Sequence, residues 1–293
     1  MAYLSQRIYS VEVQTKSGIT FDFAKNTIDY KRNTLNYDNF KIIFDIEKTL
    51  GTTPDKGSVQ IYNLNEDSWN KLDIRKDDPK LILKCGYRDL KPEVIYQGEV
   101  IEYNRVVERT ETIDVFNCGD GHRVLTNSSL NKTYESSMSI ATILDDIIKE
   151  VKKTGATIAG DVKKKIADIA ATSKKEDGGL SVSGLLKDTL ETLLKPFNKT
   201  FTIQNDVLKI VEIGKESITG KYTILTPETG LIGSPSKTKD GLEFVALIQP
   251  GKFNPGQFVE IKSRKFNGRY KIIKSNFVGD THGNDWYIRG ICI

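Results

Sequence analysis

Histidine is nearly missing from this chain: among 293 residues there are two, His122 and His282. A zinc site wants three or four ligands, and the three cysteines, Cys85, Cys118 and Cys292, stand far apart with no CxxC pair among them. Each sits in a strand-like apolar setting (LILKC, DVFNC, GICI), which suits a buried free thiol. Enzyme motifs are lacking too. No serine lies in GxSxG, and neither HExxH nor a calcium-loop pattern occurs. GATIAGDV spaces two glycines like a phosphate loop, but Asp161 and Val162 occupy the places where Lys and Ser/Thr would hold phosphate and magnesium. That segment would repel the ligand.

Long apolar runs are also lacking, since none approaches the roughly 18 residues that span a bilayer. The opening MAYLSQRIYSVEVQ holds neither a charged leader with an apolar stretch nor a small-residue cleavage site. The expectation is folding in the cytoplasm, with no membrane insertion by this chain. Neither sign of charge dominates: 43 basic against 39 acidic residues leave +4, too little to argue for nucleic acid. What remains is the composition of an ordinary globular protein, 38% hydrophobic, 9% aromatic and 28% charged, long enough for two or three domains.

Up to about residue 126 the apolar residues alternate. RIYSVEVQT and ITFDF flank a KSG turn, which predicts a hairpin with Val11, Val13, Ile19, Phe21 and Phe23 facing inward. Phe40, Ile42, Phe44 and Ile46 mark a half-buried strand, and SVQIYNL, KLILKCGY, EVIYQGEVIEYN and ETIDVFNCGD follow at short spacing. Many short strands bounded by turn residues predict a sandwich or barrel.

The middle of the chain changes period. Ile140, Ile143, Leu144, Ile147, Ile148 and Val151 fall on one helical face, with Ser139 or Ser137 as cap. VSGLLKDTLETLLKPF predicts another helix, with Val182, Leu185, Leu186, Leu193 and Leu194 on its apolar face and Pro196 at its end. Between them, Ile158, Val162, Ile166 and Ile169 allow a weaker helix, and GATIAG and EDGG read as flexible boundaries of the least ordered part. After Pro196 the strand period returns. TFTIQNDVLKIVEI reads as a hairpin turning at Gln204 to Asp206, and residues 257 to 293 read as a three-stranded meander. Its first turn is expected at Asn267-Gly268, its second within Gly279, Asp280, Gly283 and Trp286.

That second turn, DTHGND, contains the chain's sole clustered polar candidate: Asp280, His282 and Asp285. Side chains of adjacent loop residues splay apart, whereas Gly, Asp and Asn are what a tight turn requires. The expectation is a turn, with no catalytic, cofactor-binding or metal-binding residue in the chain. Asp145 and Asp146 are neighbours on a helix and read as surface charges, not as a glycosidase pair. The lysines at 149, 152, 153, 163, 164, 165, 174 and 175 form a basic cluster without aromatic residues to stack on bases. A solvated face is expected; binding of nucleic acid or anionic lipid is the alternative.

GSVQIYNLNEDSWNKL, LILKCGYRD, VIYQGEVIE and DVFNCGDG together resemble the first barrel of bacteriophage contractile-tail baseplate hub proteins of the late control protein D type. TGLIGSPSKTKDGLEFVALIQPGKFNPGQFVEI and NGRYKIIKSNFVGDTHGNDWYI resemble the second, including the Leu-Ile-Gly-x-Pro entry and the Gly-Asp-x-x-Gly-x-Asp-Trp-Tyr hairpin. The resemblance covers about residues 40 to 150 and 180 to 293. The lysine-rich stretch from about 152 to 178 departs from it.

The resemblance implies a mainly β fold with a smaller α+β middle region: a tube-like barrel over 1–126, a middle domain over 127–215 with the insertion 152–178, and a second barrel over 216–293. It further implies a non-enzymatic virion protein, a homotrimer that joins the sixfold tail tube to the threefold spike and lines the central channel. Its partners would be the tube protein, the spike, other baseplate proteins, and tape-measure protein or DNA in the lumen. Assembly would take place in the host cytoplasm, and wall-degrading activity would reside in another polypeptide. Three alternatives stand beside it: a tip or adaptor of a related injection device (a noncontractile tail, a type VI secretion spike or a tailocin), a tail-associated cell-wall hydrolase, and a nucleic-acid-binding barrel.

Overall fold

A computed structural model describes residues 7–16, 20–29, 34–37, 40–64, 76, 78–87, 90–172, 179–213 and 222–293. The chain divides into two units. Unit 1 takes Met1–Thr49, Asp55–Asp120 and Ser217–Ile293; unit 2 takes Leu50–Pro54 and Gly121–Glu216.

Unit 1 begins with β1 (Arg7–Gln14), β2 (Thr20–Asp29), β3 (Thr34–Tyr37), β4 (Ile42–Thr49), β5 (Asp55–Tyr62), β6 (Lys80–Tyr87), β7 (Leu90–Glu108) and β8 (Glu111–Asp120). The alternation seen in the sequence is the alternation of burial. Ile42, Phe44 and Ile46 of β4 are buried while Asp45 is exposed, as a strand with one face on a core demands. Val11 and Val13 are likewise buried, whereas Ser17 and Gly18 of the KSG turn and the side chains of Ile19, Phe21 and Phe23 lie outside the described residues.

Unit 2 follows with β9 (Ser129–Tyr134), α1 (Ile140–Lys153), β10 (Thr157–Ile158), α2 (Val162–Thr172), β11 (Leu180–Leu185), α3 (Leu186–Leu194), β12 (Lys199–Gln204) and β13 (Val207–Glu212). It is α+β: one sheet runs β10-β13-β12, another β11-β9, and the helices close over them around Leu144, Ile147, Ile166, Leu190, Phe201 and Ile210. Ser139 caps α1 by accepting a hydrogen bond from Thr142 N. The β12-β13 hairpin turns on Asn205 and Asp206, both at positive φ (54° and 61°), the geometry of a type I′ turn.

Two expectations for the middle region need correction. Ile158 does not join the weaker helix; Thr157–Ile158 is a short strand parallel to β13, so GATIAG is tied into a sheet and is not a flexible boundary. Val182 and Leu185 do not start a helix either, because Leu180–Leu185 pairs with β9 through Gly184, whose φ of +140° leaves the helical region. The helix begins at Leu186 and buries Leu186, Leu190 and Leu194.

Unit 1 resumes with β14 (Tyr222–Leu225), β15 (Leu231–Lys237), β16 (Leu242–Leu247), β17 (Phe258–Lys262), β18 (Asn267–Asp280) and β19 (Trp286–Cys292). Its strands form one 14-stranded sheet in the order β15-β16-β19-β18-β4-β5-β8-β7-β6-β1-β2-β3, with β17 on β18 and β14 on β17. The fold is mainly β with a smaller α+β unit. The turn expected at Asn267-Gly268 lies a few residues earlier: Asn267 and Gly268 already pair with Lys262 and Ile261, and Ser263 to Phe266 make the bend. Ser263 Oγ accepts from Phe266 N, and Asn267 Oδ1 accepts from Ser263 N, so side chains close this loop without any positive φ.

Candidate interaction site

The stretch from Asp280 to Asp285 is a turn held from several sides. Asp280 Oδ1 accepts from the backbone of His282 (2.8 Å) and Gly283 (2.9 Å), and Asp280 N donates to Asp285 O. The Arg7 guanidinium from β1 donates to the carbonyls of Asp280 (2.9 Å) and Gly283 (2.7 Å) and stacks over the Trp286 ring at 5.1 Å. His282 is exposed, and its Nδ1 meets Thr281 Oγ1 at 3.0 Å. Asp280 Oδ1 is engaged by backbone amides, and the hydroxyl of Thr281 is the imidazole's hydrogen-bond partner. Among the described residues no group of three or more His, Cys, Asp or Glu could hold a metal ion.

Beneath this turn runs a seam. The second half of β18 pairs with β4, from Lys274 opposite Thr49 to Asp280 opposite Ile43. Thr281 extends it, exchanging hydrogen bonds with the backbone of Ile42. A Cβ added at Gly279 would lie 2.2 Å from the Phe44 ring, which packs edge-on against Trp286 at 5.5 Å. The glycine is there because the neighbouring strand delivers a buried aromatic into its place. Residues so far apart in sequence leave no local signal, and sequence reasoning missed Arg7, Phe44 and Thr281 as a group.

The strands on either side of the seam repeat one arrangement. From β15 the order is β15-β16-β19-β18-β17; from β4 it is β4-β5-β8-β7-β6. In both, the long strand serves a lower neighbour with its first half and its hairpin partner with its second. In both, a bulge marks the change, between Val100 and Glu102 in β7 and between Ile272 and Lys274 in β18. Aligned on these bulges, Val100 matches Ile272, and their partners Cys118 and Cys292 match each other. The register carries through: Ile113 matches Tyr287, Ile61 matches Ala246, and Ile42 matches Leu231.

Two buried carboxyls of unit 1, Asp114 and Asp55, are bound by neighbouring strands. Arg105 binds Asp114 with two hydrogen bonds (2.9 and 3.2 Å) and the Leu64 carbonyl with a third, while Tyr103 donates to the same carboxylate. Burial and the Asp114 carboxylate together push the Tyr103 hydroxyl far up. Asp55 accepts from Thr49 N; burial pushes its pKa up to about 8, partly countered by Lys48 and reinforced by Asp120. All three cysteines are buried and free, and burial raises their thiols, Cys292 to about 12.

In unit 2, Asp146 accepts from Lys132 Nζ (2.6 Å) and Tyr134 Oη (3.0 Å), which ties α1 to β9; Asp145 is exposed. Of the lysine cluster, Lys165 pairs with Asp161 and donates to Ile210 O, and Lys153 pairs with Glu150. Lys174 and Lys175 lie outside the described residues.

No family model and no curated protein matches the chain by sequence. Solved structures do match its fold. A tail protein from Neisseria meningitidis MC58 is similar at a TM-score of 0.58 and 9% identity, covering 97% of this chain and 96% of that one. The chain has the fold of a phage tail protein. A 43 kDa tail protein of prophage MuSo2 from Shewanella oneidensis shares this tail-protein fold at a TM-score of 0.59 and 11% identity, over 97% and 98% of the two chains. So does an E. coli component of the type VI secretion system, itself described as structurally similar to the T4 bacteriophage tail proteins gp27 and gp5. It matches at a TM-score of 0.56 and 10% identity, over 96% of this chain and 76% of that one. Identities this low place the likeness in the tail-protein backbone, not in shared side-chain chemistry.

Proposed function

We propose that this chain is a structural tail component, the homotrimeric baseplate hub that joins a sixfold tail tube to a threefold spike and lines the channel between them. The observation that carries the reading is the twice-used strand order within unit 1. A chain with two such sets, one in each of the proposed barrels 1–126 and 216–293, presents six sets in three copies. A threefold ring can thereby offer an approximately sixfold face, closed by head-to-tail contacts. Residues 127–215 form a middle domain between them. The partners are the tube protein, the spike and other baseplate proteins, with tape-measure protein or DNA in the lumen; the place is the virion tail.

In this reading the chain works by shape and is not an enzyme; the Asp280–Asp285 turn, with its acceptor committed to backbone, supports that. Axial location tests it. Cross-linking or imaging of intact particles is expected to place the chain on the tail axis next to tube and spike, and a location away from the axis overturns the reading. A second reading, the spike component of a type VI secretion system, is favoured by the likeness to the E. coli protein. Recovery of the chain from purified phage particles decides for the first, and recovery only from secretion-dependent fractions for the second.

A further inference from the structure

The internal seam shows how one strand set receives the next: the upper half of a long strand takes an edge strand along its open side. β18 does this with β4. The matching strands of the other sets are β7 and β15, and both have that side open among the described residues. β7 pairs with β6 only as far as Glu99 and from there with β8, and β15 pairs with β16. Of the large hydrophobic side chains exposed among the described residues, Ile101, Val106, Val107 and Ile232 lie on these two strands, with Val107 the most exposed at 71%. Unpaired strand edges carrying apolar side chains are templates for a further strand.

We propose that the Ile101–Glu108 edge of β7 in one copy pairs, antiparallel, with β15 of a second copy, repeating between chains the join that β18 and β4 make within one. The register follows from the alignment of the two sets. Val278 faces Asp45 and Asp280 faces Ile43 at the seam; their counterparts set Val106 opposite Ser236 and Glu108 opposite Ile232.

The middle of the join complements in reverse. At the seam Gly279 leaves room and Phe44 fills it. At the counterpart position β7 brings the exposed Val107, and β15 brings the Gly233-Ser234-Pro235 bulge, where a Cβ added at Gly233 would meet nothing within 4 Å. Pro235 removes one donor from this edge and the bulge interrupts it, so a flat unrelated strand is a poor match while a strand with a side chain at that height fits. The contact is head-to-tail, as ring closure requires.

This assignment rests on the hub reading for the size of the ring but names strands that the reading leaves open. The test is a disulfide between Val106→Cys and Ser236→Cys, placed together in the full chain and oxidised under native conditions, with mass measured on the same sample. Native cysteines are buried and give little background. The expected result is a ladder of cross-linked species ending at a covalent trimer, absent in a Val106→Cys/Tyr222→Cys control. Val107→Asp with Ile232→Asp is expected to weaken association about tenfold or more while circular dichroism stays unchanged. A trimer without the 106–236 disulfide overturns the strand assignment and leaves the hub reading standing. A chain that stays monomeric and uncrosslinked at the highest attainable concentration overturns the pairing, and the axial location then decides the hub reading separately.

Discussion

The two strand sets of unit 1 share a strand order and a bulge, yet they solve the same positions with opposite chemistry. Phe277 and Ile288 face each other across β18 and β19, both buried; their counterparts on β7 and β8 are Arg105 and Asp114, an ion pair. Gly279 sits under the Phe44 ring, while its counterpart Val107 faces solvent. The difference follows the neighbour. β18 is covered by β4, so an apolar pair and a missing side chain are stabilised by burial. Among the described residues no strand covers β7 there, and a charged pair with a Tyr103 hydrogen bond keeps the same interior closed. Backbone order is what repeats; side chains adapt to what covers each edge.

The sharpest way to break this comparison is to remove one partner of the ion pair. Asp114→Ala should cost about 3 to 5 kcal/mol in urea unfolding followed by tryptophan fluorescence, since Trp286 is buried in unit 1 and the mutation strands Arg105. The double change Arg105→Phe with Asp114→Ile, which copies the second set, should recover nearly all of that loss. A double variant as unstable as Asp114→Ala would mean that the sets are not equivalent at this level. Next in size is Gly279→Val, expected to cost about 3 kcal/mol because the added atoms collide with the Phe44 ring. Its counterpart change, Val107→Ala, should stay within about 0.5 kcal/mol in the isolated chain.

A pH dependence sharpens the contrast further. Burial holds the Asp55 carboxyl near 8, against an ordinary value of 3.8, so its protonated form is the one the fold favours. Stability from this group is complete below about pH 4 and is lost as pH rises through about 8. The melting temperature should therefore fall toward alkaline pH, and Asp55→Asn should flatten that fall. Smallest are the changes in the turn. Asp280→Ala, which strips the acceptor from two amides, should cost about 1 to 2 kcal/mol. His282→Ala should stay within about 0.5 kcal/mol. Wild-type protein should give no lytic band on zymography, and a band lost with His282→Ala would overturn the structural account of that turn.

Much of this architecture is legible in the sequence because it is written at short range. Alternation at Ile42, Phe44 and Ile46 gives a strand, the spacing from Ile143 to Val151 gives a helix, and Asn205-Asp206 gives a hairpin. Errors arise where a short apolar run fits two periods. Val182 and Leu185 match a helical face as well as a strand, and pairing with β9 decides between them. Ile158 is claimed by β13 in the same way. The seam was not legible at all. Nothing near Phe44 announces that Gly279 will lie beneath it, since strand pairing across such separations depends on sheet order and not on neighbouring residues.

Asn276 of β18 bonds Asp45 of β4 across 231 residues of chain. On a ribosome adding roughly 5 to 20 residues each second, β4 emerges about 10 to 50 s before the strand that will cover it. Throughout that interval the edge of β4 that β18 will pair stays without that partner. Unit 2, encoded in between, can mature while β4 waits. A strand made late thus shields one made early, and a chain truncated before β18 should be the species that chaperones retain and that aggregates.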